Sequence, residues 1–146
     1  MLIEHILQRK GAEVATTTSD VPVRQAVTEL QQRNIGALVV SEGGSDVTGI
    51  ISERDIVRAL ATEGPRVLDR PVSDLMTTEL TTCGLRSTVD ELMQLMTERR
   101  IRHIPVVDEG RLAGIVSIGD VVKSRIDELE VETETLHGYL SPGRSR

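Results

Sequence analysis

The chain contains an internal duplication, and this feature constrains its fold more than any other. Residues 49–57 (Gly-Ile-Ile-Ser-Glu-Arg-Asp-Ile-Val) return 65 positions later as residues 114–122 (Gly-Ile-Val-Ser-Ile-Gly-Asp-Val-Val). A repeat of this length marks two copies of one folding unit. A single copy of about 65 residues would be only marginally stable, whereas the whole chain suffices for one compact body. We therefore predict that the two copies share an interface.

Apolar residues upstream of the duplicated segment recur at helical spacing in both copies. This pattern predicts the buried stripe of one amphipathic helix per copy. The stripes are Val23, Ala26, Val27 and Leu30 in copy one, and Val89, Leu92, Met93 and Met96 in copy two. Each helix is followed by two predicted strands and a second helix. The strands are expected at 37–40 and 47–51 in copy one, and at 104–107 and 112–116 in copy two, with Pro105 favouring an edge position or a strand start.

The amphipathic helices have recognisable start signals. Pro22 suits an early helical position, with Ser19 or Asp20 as the cap. Thr88 and Glu91 fit a capping box at the start of the helix in copy two.

Lead-in segments precede both units, at residues 3–10 and 72–77. Gly64, Pro65 and Pro71 mark the change-over between the copies. We therefore assign residues 1–66 to copy one, residues 67–124 to copy two, and residues 125–146 to a C-terminal amphipathic helix with a frayed end.

The C-terminal segment follows a different pattern from the repeats. Its apolar residues form an a/d seam about two and a half heptads long, flanked by glutamates. The seam consists of Val122, Ile126, Leu129, Leu136 and Leu140, with Thr133 at the missing step. A seam this short predicts packing against a partner subunit or back on the body, and residues 141–146 are expected to fray.

The composition of the chain limits the classes of function that we expect for it. The net charge is −6, with 23 acidic against 17 basic residues, and the chain has one tyrosine and no Trp or Phe. Nucleic-acid binding usually needs a basic surface and stacking aromatic rings, so we expect no nucleic-acid partner.

No apolar run is long enough for a membrane span. The lone Cys83 can form no internal disulfide, which fits a reducing, cytoplasmic setting and a small buried or half-buried residue.

The duplicated segment carries a Ser-x-x-Asp pair at the predicted start of a helix, Ser52 with Asp55 and Ser117 with Asp120. A helix cap alone explains such a pair. A binding site is the alternative, because Asp is short for the reciprocal bond of a capping box and a strand-to-helix junction offers backbone N–H groups to phosphate. The carboxylate could then accept hydrogen bonds from both hydroxyls of a ribose. The two roles can coexist.

A basic pair, Arg102 and His103, precedes a strand of copy two where copy one has Gly36 and Ala37. The pair is either a solvated surface feature or a phosphate contact, and charge-assisted bonds to phosphate contribute about 1.5–3 kcal/mol each. If the imidazolium of His103 contacts phosphate, affinity should rise as the pH falls through about 6.5.

These motifs resemble a known repeat. Residues 102–108 (Arg-His-Ile-Pro-Val-Val-Asp) and 114–122 together look like a CBS domain (cystathionine-β-synthase-type repeat), and residues 34–40 with 49–57 look like a second one. Residues 72–77 resemble the lead-in of such a repeat, so the resemblance covers residues 1–124. It implies an α/β (α+β) fold in which two tandem β-α-β-β-α units pack through their sheets. Two such modules commonly meet as a flat homodimer.

The resemblance also implies two clefts between the copies that bind adenosine-containing ligands, namely AMP, ADP, ATP, S-adenosylmethionine or NAD(H). Each cleft takes its Ser-x-x-Asp from one copy and its strand region from the other. Carried over, the first site comprises Ser52, Arg54, Asp55, Arg102 and His103, with lead-in contacts at Thr77, Thr78 and Leu80. The second comprises Ser117 and Asp120, the wall of Ile35, Gly36 and Ala37, and Lys10, Gly11 and Val14. Because this wall is not basic, we expect the second site to prefer a less phosphorylated ligand, or one whose phosphates point elsewhere, unless Lys10 supplies the missing charge.

No residue set in the sequence supports catalysis. The chain lacks a nucleophile–His–acid order on a strained turn, a Cys/His ligand cluster, and a Gly-rich phosphate loop with Lys-Ser/Thr. We therefore expect a non-enzymatic, homodimeric nucleotide sensor that signals to an unidentified downstream protein. The alternatives are a docking or oligomerisation module with vestigial clefts, and a small enzyme acting on a nucleotide.

Overall fold

The computed structural model describes the backbone of residues 1–140 and the side chains of residues 1–135. Residues 141–146, where we expect a frayed end, lie outside the described residues. The elements in chain order are α1 (Ile3–Lys10), β1 (Thr16–Thr17), α2 (Val23–Arg33), β2 (Ala37–Val40), β3 (Gly49–Ser52), α3 (Glu53–Glu63), α4 (Val89–Arg99), β4 (His103–Asp108), β5 (Arg111–Ser117) and α5 (Ile118–Leu140). Two short 3-10 helices, Pro65–Asp69 and Val72–Asp74, connect the copies.

Both copies follow the predicted β-α-β-β-α order, but the first strand of copy two is reduced to one bridging residue. In copy one, β1 pairs in parallel with β2, and β2 pairs antiparallel with β3. In copy two, β4 and β5 form an antiparallel pair, and Cys83 bridges β4 in parallel. The N–H of Cys83 donates to the carbonyl of Pro105 (3.0 Å), and its carbonyl accepts from the N–H of Val107 (2.8 Å). Pro105 thus has β5 on one side and Cys83 on the other, so the predicted edge position is wrong, and Pro105 is the third residue of β4 rather than its start.

Each copy has its own hydrophobic core, and the lead-in segments are exchanged between the cores. Ile3 and Ile6 of α1 are buried with Leu92 in the core of copy two. Val67 and Val72 of the connecting 3-10 helices are buried in the core of copy one. Neither core is complete without a segment from the other side of residue 66, so the two copies form one body.

The glycine that opens each duplicated segment lies where a lead-in crosses a strand. A Cβ on Gly49 would lie 2.8 Å from Sδ of Met76 and 3.1 Å from the carbonyl oxygen of Thr77. A Cβ on Gly114 would lie 2.7 Å from Cδ2 of Leu7. Both distances are shorter than those that Cβ atoms show in proteins, so a larger residue at either position would force its neighbours in the lead-in to move.

The amphipathic helices form where predicted, with two differences in burial. Val27 is half-buried in α2, and Met93 in α4 is 38% exposed. The face of α4 that meets the core follows Val89, Leu92 and Met96, and Leu95 packs against its flank. Met93 falls on the other flank and is therefore not part of the buried stripe.

The starts of these helices differ in part from the prediction. Pro22 is itself the N-cap residue of α2, and neither Ser19 nor Asp20 caps it. The N–H of Val23 is instead bound by the carbonyl of Arg70 (2.8 Å), so a side-chain cap is not needed there. At α4, the Thr88 hydroxyl accepts from the N–H of Glu91 (3.1 Å), which is one half of the predicted capping box.

The strands of both copies lie at the predicted places, with shifted ends. β3 begins at Gly49 rather than at residue 47, because residues 41–46 form a turn around Asp46. The Asp46 carboxylate accepts from the hydroxyl of Ser41 and the N–H of Gly43, both at 2.7 Å. β4 and β5 each extend one residue beyond the prediction at both ends.

The first half of the apolar seam of α5 does not pack on the body. Val122, Ile126 and Leu129 are 50%, 49% and 49% exposed, whereas Val121 and Ser124 face inward and are buried. The side chains of the remaining seam residues, Leu136 and Leu140, lie outside the described residues. Packing back on the body is therefore excluded for the first half of the seam. No helix within the described residues is long and apolar enough to cross a membrane.

Candidate functional site

Both Ser-x-x-Asp pairs cap the helices that follow them. At α3, the Ser52 hydroxyl accepts from the N–H of Asp55 (3.3 Å), and the Asp55 carboxylate accepts from the N–H of Ser52 (2.9 Å). Ser117 and Asp120 make the same two bonds at α5, at 3.2 and 2.9 Å. The expectation that Asp is too short for the reciprocal bond is wrong. The extended backbone of Ser52 (φ −118°, ψ 164°) places its N–H within reach of the first helical turn.

The strand-to-helix junctions offer fewer N–H groups to phosphate than the sequence suggests. The N–H of Glu53 donates to the carbonyl of Gly36 (3.0 Å), and that of Ile118 donates to the carbonyl of Arg102 (2.8 Å). A phosphate near α3 would therefore be bound mainly by side chains. Both bonds from Ser52 to Asp55 fall on Oδ2, so Oδ1 of this carboxylate remains able to accept from a ligand hydroxyl.

A cavity of about 330 Å³, here called cleft one, lies between the two copies. It brings together most residues of the first predicted site, which are Ser52, Arg54, Asp55, Thr77, Leu80, Arg102 and His103. Thr78 is not among the residues that line it. Its volume is in the range of small-molecule sites.

Cleft one carries more positive charge than sequence reasoning found. Five arginines line it, Arg54, Arg58, Arg99, Arg100 and Arg102, together with the carboxylates Glu53, Asp55 and Glu79. Among the described side chains, none of these arginines lies within 4.0 Å of a carboxylate. Unpaired guanidinium groups around one cavity are suited to a ligand with several negative charges. The signal available in the sequence was the Arg99-Arg100 pair, which ends the helix just before Arg102.

Arg100 contributes to this cluster from a strained backbone position. It ends α4 in the left-handed region (φ 54°, ψ 43°). Asn34 takes the same conformation at the end of α2, where it is a common choice. Left-handed backbone costs other residues about 1–2 kcal/mol, and such strain concentrates at functional sites. Arg100 thus keeps a cation at the cleft despite an unfavourable conformation.

His103 lies on a wall that cleft one shares with a second cavity. Burial lowers the pKa of His103 below its usual 6.5, and the Glu53 carboxylate offsets this only in part. The imidazole is therefore neutral at neutral pH. A Cβ on Gly36 would lie 3.0 Å from Oε1 of Glu53 and 3.2 Å from Nε2 of His103, so glycine permits the close approach of these side chains.

The second cavity, here called cleft two, has a volume of about 590 Å³. The residues of the second predicted site that line it are Lys10, Val14, Ile35, Gly36, Ala37 and Ser117. Gly11 and Asp120 are not among its lining residues. The two clefts therefore differ in their lining, because Asp55 lines cleft one while its counterpart Asp120 is not among the residues that line cleft two.

Lys10 forms an ion pair with the carboxylate of Asp120. Its Nζ lies 2.7 Å from Oδ2 of Asp120 and 2.9 Å from the carbonyl oxygen of Ile115. Partial burial raises the pKa of Asp120, but the hydrogen bonds from Lys10 and Ser117 outweigh this and hold that pKa below its ordinary value. The expectation that Lys10 could supply a free cation for phosphate is therefore not met in this structure, because its charge is neutralised by Asp120.

The described part of the chain offers little support for metal binding or for a reactive cysteine. It holds no group of three or more His, Cys, Asp or Glu side chains placed to bind a metal ion. Cys83 is half-buried, as expected. Burial and the nearby Glu91 raise the pKa of its thiol to about 11, so the nucleophilic thiolate is scarce at neutral pH.

Comparisons with known proteins agree with this architecture. The family model of the CBS domain matches residues 4–62 and 72–127. CBS domain-containing protein CBSX3, mitochondrial, from Arabidopsis thaliana is 42% identical over 149 residues, covering 97% of this chain and 72% of that protein. The crystal structure of the CBS-domain containing protein ATU1752 from Agrobacterium tumefaciens has a TM-score of 0.83 and 46% identity, covering 86% of this chain and 99% of that one.

A third similar protein was solved with ligands. The CBS domain pair of protein MJ0100, in complex with 5'-methylthioadenosine and S-adenosyl-L-methionine, has a TM-score of 0.77 at 28% identity. It covers 88% of this chain and 98% of that one. The two matched repeats span most of the sequence, and the fold and relatives agree with them, so this chain belongs to the CBS domain family.

Proposed function

We propose that this protein is a regulatory sensor that binds an adenosine-containing nucleotide in cleft one. The observation that carries the proposal is that one cavity joins Ser52 and Asp55 of copy one to Arg102 and His103 of copy two. A ligand there touches both copies, so its binding can favour one arrangement of the copies over another. The complex of MJ0100 with two adenosine compounds supports an adenosine-type ligand.

Different residues of cleft one bind the ribose, the adenine ring and the phosphates of the proposed ligand. The Asp55 carboxylate binds the ribose hydroxyls, because it faces the cavity and its Oδ1 is able to accept. The adenine ring packs among the aliphatic side chains of the lining, which are Ile50, Leu80, Ile101 and Pro105. The arginines bind the phosphates.

The charge of cleft one favours a ligand with more than one phosphate. Five arginines face three carboxylates, and one of these carboxylates, Asp55, is engaged with Ser52. Each charge-assisted bond to a phosphate contributes about 1.5–3 kcal/mol. Affinity should therefore increase about tenfold with each phosphate from adenosine to ATP.

The sensor is non-enzymatic and acts through a downstream protein. A ligand shifts a conformational equilibrium only by its difference in affinity for the two states. Cleft one, formed by both copies, provides such a difference if the copies move relative to each other. A reducing compartment such as the cytoplasm fits the single, free Cys83.

Calorimetric titration with adenosine, AMP, ADP, ATP and NADH tests this proposal. We expect one ligand in cleft one, and a loss of affinity of at least about tenfold in Asp55→Asn, since the charge that binds ribose is removed. Asp120→Asn is the matched control, because it weakens the equivalent helix cap in the same way and removes a carboxylate that does not line cleft one. At about 100 times the dissociation constant, ligand should stabilise the fold by ~2.7 kcal/mol.

A docking module with vestigial clefts is the second candidate. The observation that favours it is the exposed apolar stripe of α5, formed by Ile118, Val122, Ile126 and Leu129. No heat and no thermal stabilisation from any of the five ligands would contradict the sensor and support this candidate. Steady release of a product from one of them would instead indicate an enzyme.

A further inference from the structure

The two capping aspartates, although equivalent in sequence, have different partners. Oδ2 of Asp55 accepts only from its own capping residue Ser52, and the carboxylate faces cleft one. Oδ2 of Asp120 accepts from Ser117 and also from Nζ of Lys10, 2.7 Å away. Lys10 lines cleft two, whereas Asp120 is not among its lining residues. The lysine side chain therefore both lines the cavity and binds the carboxylate.

The fold holds Lys10 in this position. Lys10 is the last residue of α1, and Ile3, Ile6 and Leu7 anchor this helix in the core of copy two. A second ion pair, between Arg9 and Asp127 (3.3 Å), ties the same end of α1 to α5. The side chains of Lys10 and Asp120 are 32% and 22% exposed, so the pair is partly shielded from water.

A ribose diol that uses both carboxylate oxygens would compete with this ammonium group for Oδ2 of Asp120, because the bonds from Lys10 and Ser117 both fall on that oxygen. The ion pair between Lys10 and Asp120 adds the attraction of two opposite charges to its hydrogen bond, which a neutral hydroxyl cannot supply. Displacement would also remove Nζ from the carbonyl of Ile115, which lies 2.9 Å away. The exchange of a charged partner for a neutral diol is therefore unfavourable in cleft two, whereas cleft one requires no such exchange.

We propose that Lys10 is the specificity-determining residue of cleft two, and that it excludes ribose-containing ligands by occupying Asp120. Nucleosides and nucleotides then fill cleft one alone, and the protein binds one such ligand per chain. This inference rests on the proposed function, because cleft one must bind the ligand. The two clefts differ because different lead-ins reach them. The lead-in of copy two contributes Thr77 and Leu80 to cleft one, and it offers no lysine there.

Substitution of Lys10 tests the inference in the full-length protein. Lys10→Met keeps the aliphatic stem and removes the ammonium group, which frees Asp120. Calorimetric titration with AMP and with ATP should give one site per chain in the unaltered protein and two in Lys10→Met. The new site should bind at least tenfold more tightly than any second binding event of the unaltered protein. Lys10→Met combined with Asp120→Asn should return the number of sites to one.

Two further variants serve as controls. Lys10→Arg keeps the positive charge and should keep one site. Lys123→Met removes an exposed lysine of α5 that lies outside both clefts, and it should also keep one site. Melting curves without ligand establish that each variant is folded, and Lys10→Gln replaces Lys10→Met if the latter is unstable.

The outcomes separate this inference from the proposed function. One site in Lys10→Met, with cleft-one binding still sensitive to Asp55→Asn, overturns the role of Lys10 and leaves the sensor intact. Two sites in the unaltered protein, one of them lost in Asp120→Asn, overturn it as well. Absence of binding in every variant contradicts both proposals.

Discussion

At the scale of single residues, His103 links the chemistry of cleft one to pH. Its imidazole is half-buried on the wall between the clefts, and desolvation lowers its pKa below 6.5. The sequence predicted a transition at about 6.5, the value for a solvated histidine. The tertiary environment moves this transition to lower pH.

The rise in phosphate affinity with falling pH should therefore continue to a lower pH than it would for a solvated histidine, because the pKa of His103 in the unliganded protein lies below 6.5. Phosphate favours the imidazolium form, so binding takes up a proton, and affinity for ATP should increase as the pH falls through the lowered pKa of His103. Calorimetry across this range in two buffers of different ionisation enthalpy would measure the proton uptake. His103→Gln should abolish the uptake, and His5→Gln, outside both clefts, should leave it unaltered. A pH profile that His103→Gln does not change would remove His103 from the phosphate site.

At the scale of elements, the duplicated glycines determine how lead-ins and strands pack. Gly49 of β3 lies against Met76 and the backbone of Thr77, and Gly114 of β5 lies against Leu7. The motif Gly-x-x-Ser-x-x-Asp thus combines a packing position, a helix cap and a ligand carboxylate within seven residues. Its capping role was foreseeable from the sequence, but the reason for the glycine depends on the exchanged lead-ins.

Alanine at either glycine should destabilise the fold by about 1–3 kcal/mol, the usual effect of overpacking. Gly49→Ala presses on a backbone oxygen as well as on a side chain, so it should be the more damaging of the two. Gly119→Ala is the control, because its Cβ would lie 3.6 Å from the nearest atom in the first turn of α5. That control should be neutral or stabilising, since Ala favours helix over Gly by about 1 kcal/mol. Chemical denaturation measures all three, and a neutral Gly49→Ala would contradict the packing argument.

At the scale of the whole molecule, the two copies form one body with an apolar stripe on α5 that the chain itself leaves exposed. The stripe contains Ile118, Val122, Ile126 and Leu129, each between 44% and 50% exposed. A seam of this kind was predicted to meet a partner subunit or the body, and the body is excluded for these residues. We therefore expect a second copy of this chain to cover it.

Light scattering should show a dimer that dissociates in Ile126→Glu, because a charge at the centre of the stripe would be buried without a partner. Val131→Glu is the matched control. Val131 is also exposed (63%) on α5 but lies on the opposite side of the helix at 3.6 residues per turn. A monomer in the unaltered protein, or equal effects of both variants, would contradict dimerisation through this stripe.

The sequence by itself determined the duplication, the order of elements, the two helix caps and seven of the seventeen residues that line cleft one. These features follow from periodicity, from short motifs, and from the resemblance of the repeat to CBS domains. The tertiary structure decided the exchange of lead-ins, the clustering of Arg58, Arg99 and Arg100 with Arg102, and the ion pair between Asp120 and Lys10. Each of these depends on contacts between segments far apart in the chain, such as Lys10 and Asp120. The physical reason is that charge pairing and burial depend on distances in space, which local sequence patterns do not contain.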